Sequence, residues 1–297
     1  MPTPLMPSQV EGKISAILRM AAPEDFASAE SRERFVERLP PALFGTVGGN
    51  TSCVSLDIDG FDESIVFDCG SGIREFGRVA SGANHHIFLS HFHWDHLQGL
   101  PFFGPAFNPS ATLDFYSARL GFEQDLAWLM REPYSPIGLD YLPARKKFHL
   151  LEGPVQVGPA EVSFRKMNHP GDSFAFKVSH GNKSFIYSTD AELELPDFAQ
   201  TEENRAFFKG AGVIVMDAQY TLLEAIEKHS WGHSSFSIAV EFAANWEIGH
   251  LVLFHHDPSS DDAKLRSMHD MALKYARCIG AEGLQITLAQ EGGEIVL

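Results

Sequence analysis

The sequence predicts an α/β (α+β) chain in which two layers of β-sheet lie between outer helices. Three observations lead there. Short apolar runs recur between Gly, Asp and Asn, which is strand-and-turn punctuation. Later runs are continuously apolar, as strands covered on both faces must be. Two late segments carry apolar stripes at helical spacing. With 297 residues and 44% apolar composition, the chain can bury a large core.

Taken in order, residues 1–22 are rich in Pro and small residues and read as loosely structured. A helix is expected over 23–39, with Glu24 and Asp25 in its first turn and Phe35, Val36 and Leu39 along one side. Strands are expected at 54–58, 65–68 and 87–91, then at 112–116, 162–167, 174–178 and 185–189, with a helix at 123–131. The runs at 213–216 and 251–254 read as strands buried on both faces. Between them Phe236, Val240, Ala243 and Trp246 follow helical spacing, with Ser234 and Ser235 as candidate caps. A last helix over 261–279 carries Leu265, Met268, Ala272, Tyr275 and Ile279 as its stripe.

Composition narrows the function. A formal charge of -16 at pH 7 opposes a long nucleic-acid partner, whose phosphates require many Lys and Arg contacts. It leaves room for a small phosphate ester, whose charge bound metals can neutralise. No apolar run approaches the ~20 residues that span a bilayer, so no membrane partner is expected. Met1-Pro2-Thr3-Pro4 lacks the basic-then-apolar pattern of a secretory signal. Cys53, Cys69 and Cys278 are scattered, odd in number and form no Cys-x-x-Cys pair. They suit a reducing compartment, so the expected location is cytoplasmic.

The chemistry concentrates in Ser90-His91-Phe92-His93-Trp94-Asp95-His96, directly after the apolar run 87–89. Three imidazoles and a carboxylate at this spacing cannot share one helix face. On a turn leaving a strand, His91 and His93 can grip one metal while Asp95 and His96 reach a second. Imidazole nitrogen and carboxylate oxygen are the donors that divalent zinc, manganese or iron prefer.

His-x-His-x-Asp-His after a strand resembles the signature of the metallo-β-lactamase fold, a superfamily of mostly hydrolytic enzymes. The resemblance implies an αββα sandwich of two mixed β-sheets flanked by helices, with two metals at one edge between the sheets. It implies a ligand set of His91, His93 and His169 on one metal and Asp95, His96 and His255 on the other, with Asp190 between them. His169 alone, before Pro170-Gly171, would read as a turn residue, and Asp190 alone as a cap. His256 points the other way if its run stays extended, and is expected either to support a metal ligand from behind or to be structural.

Asp217-Ala218-Gln219-Tyr220 and Trp231-Gly232-His233-Ser234-Ser235 resemble paired motifs of transfer-RNA 3′-processing endonucleases and related phosphodiesterases. His233 is expected at the N-terminus of a helix opening at Ser234, where free N–H groups favour an anion. There it would act with Asp95 as a catalytic residue; the bland alternative is a histidine satisfied at a helix cap. Gly48-Gly49-Asn50-Thr51-Ser52-Cys53 and Asp68-Cys69-Gly70-Ser71-Gly72 fit the same branch or are plain turns, and Asp68 would orient a metal-bound His.

These readings divide the chain into an N-terminal helical extension, 1–44, packed on a catalytic domain, 45–297. The expected function is a dinuclear metal-dependent hydrolase with two divalent ions, Zn²⁺ by default and Mn²⁺ or Fe²⁺ as alternatives. It would cleave a small or cyclic nucleotide-like phosphodiester by metal-bridged hydroxide attack. The runner-up is a glyoxalase-II-like thioester or lactone hydrolase, and the third reading is a non-catalytic metal-bearing sensor. Chain composition is compatible with a homodimer.

Overall fold

The computed structural model describes residues 5–297. Five strands form the first sheet in the order β1 (Val54–Ile58), β2 (Phe61–Phe67), β3 (Asn84–Phe88), β4 (Thr112–Ser117) and β5 (Arg145–Leu150). Only β1 and β2 pair antiparallel there; the rest are parallel. Seven more strands are β6 (Val155–Val157), β7 (Ala160–Lys166), β8 (Phe174–His180), β9 (Lys183–Ser188), β10 (Val213–Asp217), β11 (His250–Phe254) and β12 (Gln285–Leu288). They lie in simple reverse order from β12 to β6, antiparallel from β6 to β9 and parallel from β9 to β12. Both sheets are therefore mixed.

Alternation of side chains builds the layers. In β10, Val213 and Val215 enter the cluster between the sheets, whereas Ile214 and Met216 face the helices outside. That is why this run is apolar without a break. Phe67 of β2 meets Tyr187 of β9 across the sandwich at 5.2 Å between ring centroids. On the far side of the second sheet lie Val240 and Ala243 of helix Phe236–Asn245 and its C-cap Trp246, with Leu265, Met268 and Ala272 of helix Asp262–Cys278. On the far side of the first lie Ile73 and Leu126 from helices Ile73–Val79 and Phe122–Leu129. The layer order is αββα. Among the described residues, no helix is long and apolar enough to cross a membrane.

Two expectations near the N-terminus are corrected. Residues 1–22 were expected to be loose, yet Pro7–Met20 is a helix, with Pro7 at the start where its missing N–H is harmless. Residues 1–4 lie outside the described residues. The single helix over 23–39 is instead a 3₁₀ turn, Pro23–Phe26, followed by helix Ala29–Glu37. Ser28 divides them by accepting a hydrogen bond from the Ser31 amide at 3.1 Å, a capping interaction that starts a new helix. Lys13 ties the first helix to the last long one through Asp262, at 2.7 Å.

Candidate metal centre

The C-terminal ends of β2, β3, β7, β9, β10 and β11 gather at one edge of the sandwich. Asp68 follows β2, His169 follows β7, and Asp217 closes β10. Asp190 and His255 follow β9 and β11. Asp68, Asp190 and His255 have positive φ of 61°, 44° and 58°, a conformation uncommon for non-glycine residues. The backbone thus leaves each strand left-handed just where its side chain must turn toward its neighbours.

The motif after β3 forms a tight turn, with the His96 amide donating to the His93 carbonyl at 3.1 Å. Two glycines let the chain pack behind it. A Cβ on Gly70 would stand 2.5 Å from the Asp95 carbonyl oxygen, and one on Gly99 would stand 2.0 Å from that of Gly70. No larger residue fits at either place. The Gly70–Gly72 segment is thus the floor of the turn.

The turn and the strand ends assemble three overlapping groups of donors, one of them Asp190, His233 and His255. His91, His93, His169 and Asp190 place one donor atom each within 4.8 Å of the others, and so do Asp95, His96 and His255. Asp190 joins the groups. Its Oδ2 lies 3.5 Å from His91 Nε2 and 3.7 Å from His169 Nε2. Its Oδ1 lies 3.2 Å from His96 Nε2 and 3.1 Å from His255 Nε2. All seven residues of the expected ligand set are brought together, and His233 joins Asp190 and His255 in the third group.

Hydrogen bonds at the rear fix which nitrogen faces inward. His169 Nδ1 donates to the Gly232 carbonyl at 2.8 Å, and His96 Nδ1 donates to Asp68 Oδ2 at 2.7 Å. Each bond leaves Nε2 turned inward, the orientation that metal-ligating histidines use. Asp68 also accepts from the Ser90 amide and hydroxyl, both at 2.7 Å, and from the Tyr187 hydroxyl at 2.8 Å.

The donor set fits divalent cations. Buried His91 Nε2 has no hydrogen-bond partner. An imidazole nitrogen in that state carries an uncompensated desolvation penalty. His93 Nδ1 and His169 Nε2 stand 3.2 Å apart, and His96 Nε2 and His255 Nε2 stand 3.3 Å apart. These are hydrogen-bond contacts in the metal-free chain, and the same nitrogens would present lone pairs to a cation placed between them. Electrostatics agree. Burial holds His91, His93 and His169 below the ordinary imidazole value, so they are neutral. Burial opposes ionisation of Asp190, but His255, His96 and His91 outweigh it and hold the carboxyl well below its usual range. His96 differs: against burial, Asp190 and Asp68 raise its pKa, so metal binding there would release a proton.

His233 stands beside this cluster. Its Nδ1 bonds Asp217 Oδ2 at 2.7 Å, and its ring stacks on His255 at 5.0 Å and 13°. The helix N-terminus expected at Ser234 is corrected. The helix is Phe236–Asn245 with Ser235 as its cap, and the Ile238 amide is already taken by Ser235 Oγ. A buried carboxylate, rather than a helix dipole, thus governs His233. Burial works against its protonation, but Asp217 first and then Asp190 and Asp95 raise its pKa above the ordinary value. His256 turns away to the Ala289 carbonyl at 3.2 Å, and burial pushes it down to about 4.

Several functional residues went unseen in the sequence. Ser90 sits between Asp68 and His91 Nδ1, the latter at 3.0 Å, and its place in the motif was the one signal available. Tyr187 reaches Asp68 from the opposite sheet. Glu192 holds the loop before His233, accepting from the amides of Ser230 and Gly232, both at 2.9 Å. Nothing in the sequence marks it.

Comparison with known proteins gives one family match and several distant relatives. Residues 63–256 match the family described as "Beta-lactamase superfamily domain". The chain is 24% identical over 223 residues to the "Probable metallo-hydrolase YhfI" of Bacillus subtilis, covering 68% of this chain and 82% of the relative. The crystal structure of YhfI superposes with a TM-score of 0.61 at 21% identity, over 81% of this chain and 89% of that one. The "Ribonuclease Z" of Shouchella clausii is 23% identical over 241 residues, 64% of this chain and 75% of the relative. Human tRNase Z, short form, shares the fold with a TM-score of 0.61 at 18% identity, over 85% of this chain and 95% of that one.

Proposed function

We propose that this chain, which belongs to the beta-lactamase superfamily and is a metal-dependent hydrolase, cleaves a small phosphodiester at a two-metal centre. His91, His93 and His169 would hold one ion, Asp95, His96 and His255 the other, and Asp190 would bridge them. Divalent ions so placed, zinc first among them, lower the pKa of water and neutralise charge on a phosphoryl group. The catalytic domain is read as 45–297, with 1–44 packed on it as an extension.

One observation carries the choice of a phosphodiester: the Asp217–His233 pair at 2.7 Å beside His255. The alcohol of an alkyl phosphodiester leaves as an alkoxide, which needs a proton, whereas the thiolate of a thioester leaves without one. With Nδ1 committed to Asp217, His233 can deliver the Nε2 proton to the leaving oxygen as the phosphorus–oxygen bond breaks. The buried carboxylate stabilises the protonated ring that must be present beforehand. Asp95 serves the opposite side of the reaction. Although burial favours its neutral form, His255 and His96 hold it ionised, so it can orient the attacking water by accepting its hydrogen. The products are a phosphomonoester and an alcohol. A net charge of -16 directs this chemistry to small diesters rather than long polyanions.

The test compares bis(4-nitrophenyl) phosphate with a thioester under identical metal loading. Wild type should turn over the diester and leave the thioester. His233→Ala should keep its metal content while losing about 10²–10⁴-fold in turnover of a diester with an alkoxide leaving group. The loss should be far smaller for bis(4-nitrophenyl) phosphate, whose nitrophenolate leaves without a proton. A His233→Ala protein with full rate on the alkyl diester refutes the assignment.

A further inference from the structure

Beside the centre lies a row of rings that the reaction does not use. Trp94 is flanked in sequence by two of the cluster's donors, His93 and Asp95, yet its own side chain turns out to solvent and is 60% exposed. Tyr134 meets it edge-on at 6.4 Å between centroids, and Trp128 lies 4.8 Å from Tyr134. These two are 47% and 45% exposed, so the row is contiguous and each ring leaves a substantial part of itself bare. Arg131 closes the outer end, its guanidinium carbon 5.0 Å over the Trp128 ring. Contiguous exposed aromatic surface of this kind marks a binding site.

Holding the loop does not explain the rings. The amides of Tyr134 and Ser135 already donate to the Arg131 carbonyl at 2.8 and 3.0 Å, and Ser135 Oγ donates to the Ile137 carbonyl at 2.7 Å. Backbone and serine thus fix the turn, and the row remains outside it. Nor does the metal turn need an indole, since the side chain between His93 and Asp95 has no metal-ligating atom and belongs to none of the donor groups. A planar group tethered to a phosphate at the cluster would reach Trp94 first. Stacking on such rings is tolerant of sequence because every base has a π-face, and a nearby guanidinium adds attraction for a substrate that carries negative charge.

We propose that Trp94, Tyr134 and Trp128 form a shelf that takes the nucleobase of a diester whose phosphate is held at the His/Asp cluster. This rests on the phosphodiester reading above and makes the substrate a nucleotide. The shelf residues set specificity; they are not catalytic.

The experiment is calorimetric titration of the metal-loaded protein with AMP and with ribose 5-phosphate, which share sugar and phosphate and differ by the base. Wild type should bind AMP about tenfold or more tightly than ribose 5-phosphate, as expected for one stacked base. In Trp94→Ala and Tyr134→Ala the preference should fall to about twofold or less, while ribose 5-phosphate affinity stays put and Trp94→Phe keeps most of the preference. Equal affinities in wild type, a preference that survives both alanine variants, or no binding of either ligand at millimolar concentration overturns the shelf. Bis(4-nitrophenyl) phosphate turnover, measured alongside, separates the two readings. Turnover without base preference removes the shelf and leaves the reaction, whereas base preference without turnover does the reverse.

Discussion

Replacing Asp68 by Asn tests how far the centre depends on residues behind it. Asp68 is fully buried and accepts four hydrogen bonds: from the Ser90 amide, the Ser90 hydroxyl, His96 Nδ1 and the Tyr187 hydroxyl. Asn has the same shape and tolerates its φ of 61°, so backbone and volume stay constant. The amide must nevertheless put its NH₂ group somewhere. Facing the Ser90 amide, it leaves two buried donors opposed, at about 1–3 kcal/mol. Facing the other three partners, it can be met by rotated hydroxyls, but His96 must then present an unprotonated Nδ1. The proton moves to Nε2, and the inward lone pair is lost. Either orientation weakens the group of Asp95, His96 and His255 more than that of His91, His93 and His169. We expect a fall of about 10–100-fold in affinity for one ion of the pair, the range typical of partners behind a metal ligand. Competition against a chromophoric chelator, with elemental analysis after dialysis, reads this directly. Two ions retained at wild-type affinity would refute the orienting role of Asp68.

Other perturbations follow from the same geometry. Gly232→Ala puts a Cβ 2.2 Å from His169 Nδ1 and 2.5 Å from Pro170 Cδ at a φ of +87°. It should cost about 2–4 kcal/mol and abolish metal retention; denaturant unfolding with and without metal checks both, and an unchanged midpoint contradicts the contact. His255→Asn removes a buried Nδ1 that lacks a partner and eases a left-handed residue, so the metal-free protein should unfold no earlier than wild type. The rise in midpoint on adding Zn²⁺ should vanish, and a metal-free variant that melts well below wild type would count against the strain. Asp262 is kept below its ordinary 3.8 despite burial by hydrogen bonds from Lys13, Val47 and Thr46. A depressed carboxyl stabilises above its unfolded value and loses that contribution as pH falls through the folded one. Protection factors over Pro7–Met20, taken against the intrinsic rate at each pH, should therefore be high at pH 5, fall below pH about 4, and be low at both in Asp262→Asn; equal protection in that variant would exclude the tether.

What the sequence disclosed depended on how locally each feature is encoded. The turn at His91–His96 was legible from residues alone, since four donors in six positions have few other uses. His169, Asp190 and His255 each stand alone after a strand, and only resemblance to a family linked them to the turn. Ser90, Tyr187 and Glu192 act through hydrogen bonds across folded space, which leave no periodicity behind. The Gly232 carbonyl that orients His169 is backbone, so its side chain says nothing. Strands buried on both faces declared themselves by unbroken apolar runs. Arg145–Leu150 did not, because it opens with Arg145, Lys146 and Lys147 at the edge of the first sheet. The helix Pro7–Met20 was missed for a related reason: Val10, Ile14 and Leu18 are exposed, so its apolar residues mark no core face.

The left-handed residues explain why this edge of the sandwich carries the chemistry. A strand that ends in extended backbone sends its next side chain along the sheet, toward solvent or the layer above. A residue at φ near +60° turns the chain sharply instead, and Asp68, Asp190 and His255 all do so at one edge. Outside glycine such conformations cost of order 1 kcal/mol or more apiece and persist where surroundings over-determine them. Here the surroundings are the two sheets, whose facing strands fix where each turn begins. Without a cation the folded chain retains the strain and the unpartnered His91 Nε2. A bound metal would give that nitrogen a partner, so its affinity should owe something to an apoprotein held in an unfavourable state by its core rather than to any one unusual ligand.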